Sequence, residues 1–408
     1  MTPSSMQPTL NYGAAAADGD VEAYADIVSV AFNWSRDEAL AFARRGPRED
    51  VRLVRDAAGE AFGGLNLIRM GQFWGGRPVP HVGIGGVVVV PEARGRGVGK
   101  LLMRSAIDEL AREGVAMSGL FPATWPVYRD SGFEIAGGRW RVRLRPRELK
   151  PRPGPADETR LGVRRVGRAE HGAVRGAYAR FARHTPGHMD RGPYIWEHGV
   201  FRFGNEPTRV YVVESPDDAS IEGYVSVHMS RSTELGGSVV EVIDLVALTP
   251  RAGRALWSFL AGHWSMAVAI EWNCGPGHPM LALLHDRTFE MRLLEHWMIR
   301  LVDLGGALEA RGYAPNVTDR IAIDVRGDRL DANNGVWLLD VAEGRAGAER
   351  VEAKAEVRVE AGALASIYAG YLNPLTAGTE AGVWGSPEAL ARLAGLFVGP
   401  MPWMSEIY

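Results

Sequence analysis

The residues richest in chemical meaning form one stretch, Val87-Val88-Val89-Val90-Pro91-Glu92-Ala93-Arg94-Gly95-Arg96-Gly97-Val98-Gly99-Lys100. A β-branched run feeds a turn whose glycines let backbone N–H groups face one point, at the positive end of a helix starting near Val98. That geometry binds a diphosphate. Arg94, Arg96 and Lys100 add local positive charge, and Pro91 is expected to splay the strand from its neighbour, leaving backbone groups free to pair with an extended ligand. A dinucleotide fingerprint would need GxGxxG with an acidic residue about 20 positions on, and a Walker loop would need Gly-Lys-Ser/Thr; the stretch has neither. Elsewhere, His184 and His188 with Asp190 have loose metal-ligand spacing, but Pro186 and Gly187 break any helix that would align the imidazoles, so no metal is expected. Cys274 lacks a neighbouring base in sequence, so it is not expected to serve as a nucleophile.

The elements that must hold this turn can be read from periodicity. Apolar residues over 20–32 recur at helical spacing, and Ser35-Arg36-Asp37-Glu38 is a capping box opening a second helix through Ala43. Strands at 51–54 and 61–70 flank the turn Asp56-Ala57-Ala58-Gly59, and the Val87 to Val90 run follows. Residues 98–110 predict an amphipathic helix, 115–120 a strand, and a short helix is expected near Tyr128. The order ααβββαβα makes an α/β layer with the glycine turn between a central strand and its helix.

Pro146 to Pro155 is Pro-rich and charged, as a linker would be. After it the pattern partly repeats: a helix at 169–182, strands at 209–213, 223–228 and 239–248, and a helix at 252–264. Residues 89–99 align with 247–257, where Ala255 and Trp257 stand in place of the turn glycines Gly97 and Gly99. A third, α+β texture begins near Ile299, with a helix over 303–312, a strand at 320–324, a hairpin signal at Asn333-Asn334-Gly335, and helices at 361–369 and 386–397.

Composition bounds the function. The 408 residues suggest two or three domains. With 46 Lys+Arg against 49 Asp+Glu the net charge is −3, so there is no bulk attraction for nucleic acid or anionic membrane, and neither is expected as a partner. The lone cysteine fits a reducing compartment. Without a membrane-length apolar run or a signal peptide, the expected location is cytoplasmic.

The spacing Arg94-x-x-Gly97-x-Gly99 after a β-branched strand resembles the acetyl-CoA signature of the Gcn5-related N-acetyltransferases (GNAT), and the preceding ααβββ order fits that family. Tyr128, in Tyr128-Arg-Asp-Ser-Gly132-Phe133, lies where the family commonly places a tyrosine that protonates the leaving sulfur. The resemblance sharpens to the Eis (enhanced intracellular survival) family. It rests on a first transferase unit, a degenerate second copy, a third unit ending on an aromatic residue, Trp297-Met-Ile-Arg-Leu-Val-Asp303, and Ala307-Leu-Glu-Ala-Arg-Gly-Tyr313.

That resemblance implies α/β and α+β architecture: an active GNAT domain at 1–150, a degenerate GNAT domain at 151–298, and a sterol-carrier-protein-like domain at 299–408 whose C-terminus enters the active site. It implies Tyr128 as acid and the α-carboxylate of Tyr408 as base. Acetyl-CoA would be the co-substrate, its pantetheine arm and acetyl group on Val87, Val88 and Val89, its pyrophosphate on Gly95 to Lys100, its flank on Ala123 and Thr124. Phe32, Trp34 and Glu406 would meet the amine. Trp34 stands where some members carry an acid, so a more apolar amine competes with an aminoglycoside-like substrate. Family members form hexamers, and a homohexamer is expected. Two alternatives are an N-acyltransferase tailoring a natural-product or peptide amine, and a non-catalytic lipid or small-ligand binder using the third domain.

Overall fold

In the computed structural model, which describes residues 10–204 and 206–408, the glycine turn closes one end of a long mixed sheet. The first unit supplies β1 (Asn11–Ala14), β2 (Val51–Arg55), β3 (Ala61–Trp74), β4 (Arg77–Val89), β5 (Met117–Leu120) and β6 (Glu134–Leu144). Its helices are α1 (Asp18–Phe32), α2 (Arg36–Ala43), α3 (Val98–Arg112) and the short α4 (Trp125–Arg129). Ser35 caps α2 as the sequence predicts, accepting from the Glu38 amide while the Glu38 carboxylate returns to the Ser35 amide. The apolar stripe of α3, including Leu102, Met103, Ala106, Ile107 and Leu110, is buried against the sheet.

The second unit repeats this plan with β7 (Val163–Arg165), α5 (His171–Ala182), strands at Arg209–Glu214, Ile221–Ser232, Gly237–Ala247, Ala269–Asn273 and Phe289–Leu301, and a helix at Pro250–Ala261. The two copies exchange their last strands. Phe289–Leu301 inserts between β5 and β6, while β6 pairs onward with Ala269–Asn273. Periodicity did not reveal β6 or the 289–301 strand, because charged residues alternate along both and read as surface. The third unit packs helices Leu304–Ala310, Ala361–Tyr368 and Pro387–Leu396 on a five-stranded sheet. Trp74, Trp297 and Tyr368, one from each unit, meet with ring centroids 6.1 and 5.9 Å apart.

Three expectations need correction. The 146–155 segment is pinned rather than free, since Leu149 is buried and the Arg152 amide donates to the Leu283 carbonyl at 2.7 Å. The hairpin signalled at Asn333-Asn334-Gly335 does form, between Asp319–Arg326 and Gly335–Ala342, but its connection is the whole of 327–334 rather than a tight Asn-Gly turn. Buried Asn333 instead accepts from the Leu304 amide at 3.1 Å and donates to the Val302 carbonyl at 3.0 Å. Nor does the splay of the central strand start at Pro91. β4 pairs in parallel with β5 only from His81 to Gly83, so Ile84 to Val89 have no strand neighbour on that side among the described residues. The opening follows from a bulge: Gly64 faces Val88 and Asn66 faces Gly85, which leaves Gly86 and Val87 opposite Leu65. Gly86 takes φ +59°, and its carbonyl accepts the Tyr24 hydroxyl at 2.8 Å.

Candidate active site

Beyond Val89 the chain makes a short 3₁₀ turn at Pro91–Ala93 and enters α3 through Gly97. Gly95 and Gly97 hold φ of +75° and +84°. A β-carbon at either would meet nothing within 4 Å, so glycine is required there by backbone conformation and not by space. No side chain caps the N-terminus of α3. Its first amides, with Arg94, Arg96 and Lys100 beside them, therefore present an uncapped positive helix end suited to a diphosphate.

The second copy closes the same place. Its helix starts directly at Pro250, Thr249 Oγ1 accepts from the Ala252 amide at 3.2 Å, and the Thr249 hydroxyl donates to Glu222 at 2.6 Å. A helix end capped by its own threonine, with the Glu222–Arg251 ion pair beside it, leaves fewer free amides for a diphosphate.

Tyr128 is carried on α4 and packs with Leu120, Phe133 and Val82 in the first unit's core. Burial pushes its phenol above the ordinary range, so it stays protonated at neutral pH. No hydrogen bond ties down its hydroxyl among the described residues. The loop after it is clamped: the buried Arg300 guanidinium, ion-paired to Asp328, donates to the Ser131 carbonyl at 2.8 Å. Ala123 and Thr124, just before α4, are exposed.

The C-terminal segment lies between the two copies. The Pro402 carbonyl accepts from the Gly138 amide at 3.4 Å, and the Trp403 indole covers Gly275 with His188 at 4.3 Å between ring centroids. The Tyr408 ring rests against Gly83 and edge-on to Phe121 at 5.5 Å, with its hydroxyl 3.4 Å from His81 Nε2. Burial holds His81 down at about 3, so the imidazole is neutral. The carboxyl carbon of Tyr408 would stand 3.1 Å from a β-carbon on Gly85, which puts the carboxyl on the opened reach of β4.

Gly83 and Gly85 thus leave the room that the Tyr408 ring and carboxyl occupy, a role that their place in a glycine cluster did not reveal from sequence. Two glycines at i and i+2 leave a bare strip on one face of a strand, and that was the available signal. Gly119, whose β-carbon would stand 3.0 Å from the Tyr408 hydroxyl, completes the strip.

Phe32 and Trp34 are 43% and 41% exposed, with centroids 5.1 Å apart. They are presented by Asn33, which ends α1 in the left-handed conformation, and by the Ser29 hydroxyl donating to the Trp34 carbonyl at 2.7 Å. Glu406 departs from its expected role. It is 7% exposed and engaged by Arg191, so it does not offer a free acid to a substrate. Cys274 is buried and its thiol is pushed up by burial, while His184 is exposed and His188 bonds the Trp403 carbonyl. Among the described residues no three His, Cys, Asp or Glu side chains converge to hold a metal.

Two repeats of an acyltransferase-like layer with one open phosphate turn define a tandem GNAT protein. Residues 14–136 and 187–301 each match a family described as an acetyltransferase (GNAT) domain, and 304–405 match a sterol carrier protein domain. The chain is similar to N-acetyltransferase Eis of Mycobacterium tuberculosis, 26% identical with 82% of this chain and 83% of that one covered. It is 27% identical to an uncharacterized N-acetyltransferase of Streptomyces avermitilis, with 82% of each chain covered. A GCN5-related N-acetyltransferase from Anabaena variabilis superposes with TM-score 0.91 at 26% identity, over 98% of this chain and all of that one. The chain belongs to the Eis family of GNAT N-acetyltransferases and transfers acetyl groups to amines.

Proposed function

We propose that the protein transfers acetyl from acetyl-CoA to a primary amine by direct attack, with the Tyr408 carboxylate as base and Tyr128 as acid. The observation that carries this reading is the Tyr408 carboxyl on the Gly85 strip, beside the unpaired reach of β4 that leads into the glycine turn. When bound, acetyl-CoA supplies an activated thioester carbonyl. The backbone of Val87, Val88 and Val89 holds the extended arm, the amides of Gly95, Gly97, Val98, Gly99 and Lys100 with Arg94 and Arg96 hold the diphosphate, and Ala123 and Thr124 flank it.

An amine is protonated at neutral pH and must lose a proton before it attacks. A terminal carboxylate, ordinarily near 3.5, is ionised and accepts that proton directly or through water. The neutral His81 lies at the other end of Tyr408, against its phenol hydroxyl, and adds no positive charge there. Tyr128, kept protonated by burial, delivers a proton to the departing thiolate.

The acceptor is an amine with an apolar or aromatic body rather than a polycation. Phe32 and Trp34 offer exposed rings for stacking and cation–π contact, Glu406 is buried against Arg191 rather than open to an amine, and Asp26 is paired with Arg36 at 2.9 Å. We place the enzyme in the cytoplasm as a homohexamer acting on a small molecule; sedimentation velocity giving a monomer would refute the assembly. A panel of aromatic, aliphatic and aminoglycoside amines, followed by thiol release from acetyl-CoA, tests the substrate class. Aromatic or aliphatic monoamines should show the highest kcat/KM, and a preference for aminoglycosides would overturn it.

A further inference from the structure

The second copy has closed its phosphate turn, yet its cleft is filled. Its central strand, Gly237–Ala247, pairs in parallel with Ala269–Asn273 only from Val239 to Val242, so Asp244 lies on a reach opened like that of β4. Ser226 faces Asp244 and Val227 faces Val242, a bulge at Ile243 that mirrors the one at Gly86 and Val87. Arg191 occupies this opening. It donates to Asp244 at 2.5 and 3.0 Å through both terminal nitrogens, and through Nε to Glu406 at 2.5 Å. Its guanidinium stacks 3.5 Å over the Tyr178 ring, Tyr224 donates to Asp244, and the Tyr178 hydroxyl lies 3.2 Å from Glu406.

The Arg191, Asp244 and Glu406 side chains are only 1%, 5% and 3% exposed. Arg191 directly follows Met189–Asp190, which pairs with Gly71 and Gln72 of β3, so the socket is fastened to the first copy as well. Only Ile407 separates Glu406 from Tyr408, so the two Cα atoms are at most about 7 Å apart in an extended chain. A tail seated at Glu406 therefore leaves the terminal carboxylate little freedom.

We propose that the degenerate second copy is a socket for the C-terminal segment and that Arg191, through Glu406, is the positioning residue that sets the Tyr408 carboxylate on Gly85. This rests on the reading of that carboxylate as base, and the experiment separates the two. The variants Glu406→Gln, Arg191→Met and Arg191→Lys are compared in the full chain. The readouts are kcat, acetyl-CoA Kd by calorimetry, and the rate at which carboxypeptidase A releases tyrosine from the native protein. Glu406→Gln, the mildest change, should release tyrosine about tenfold faster and lower kcat about tenfold, as expected for one charge-assisted hydrogen bond, with Kd within about twofold. Arg191→Lys should recover part of the protection that Arg191→Met loses. In a chain lacking Tyr408, Glu406→Gln should cause no further loss of kcat. Faster release with unchanged kcat would uphold the socket and refute the base. Unchanged release in Glu406→Gln and Arg191→Met, whatever happens to kcat, would overturn the socket.

Discussion

Tyr128 gives the cleanest test among single residues because its hydroxyl is committed to no protein partner while its ring fills the core. Tyr128→Phe should therefore leave the melting temperature and acetyl-CoA affinity unchanged and lower kcat about 100-fold, the lower range for losing a general acid. The pH dependence follows from the same burial. An acid works only while protonated, and a phenol raised above its ordinary 10.0 keeps its proton through pH 9, so the alkaline loss of kcat due to this group should appear only above pH 10. An alkaline limb that is the same in Tyr128→Phe as in the wild type would contradict the assignment. Glu406 carries the opposite sign. Burial would raise its carboxyl, but the Arg191 charge holds it down to about 2 from 4.5, so its stabilising contribution is complete above about 4.5 and is lost as pH falls toward 2. Melting curves should show the wild type's advantage over Glu406→Gln shrinking across that window.

Among the elements, the glycine turn and the bulged strand divide the work of holding the co-substrate. Gly97→Ala forces an alanine to φ +84°, costing about 1–2 kcal/mol, and should raise the acetyl-CoA Kd about tenfold with little change in kcat at saturation, measured by calorimetry and initial rates. Gly85→Ala acts on the other arm: its β-carbon would stand 3.1 Å from the terminal carboxyl, so kcat should fall while Kd holds. These elements differed in how legible they were. The turn could be read because φ-permissive glycines, a β-branched strand and an amphipathic helix are local signals, and the Ser35 cap was visible for the same reason. The exchanged strands were not, because their partners lie more than a hundred residues away and no local pattern specifies them. Glu406 read as an acid that would meet the amine; only its tertiary partner, Arg191, shows it engaged.

For the molecule as a whole, strand exchange joins the two copies into one sheet and the C-terminal segment is seated across both. Neither copy completes its sheet without the other, so calorimetry should show both melting in one transition; separate transitions for the two would contradict the exchange. On the proposed reading the third unit contributes its own end to a site built by the first and braced by the second. The most direct measurement is turnover by a chain extended by one glycine after Tyr408, which moves the carboxylate off the Gly85 strip by about 3.5 Å while leaving every side chain in place. Loss of kcat by about 100-fold with acetyl-CoA binding intact is the predicted result, and turnover equal to the unextended enzyme would contradict the account.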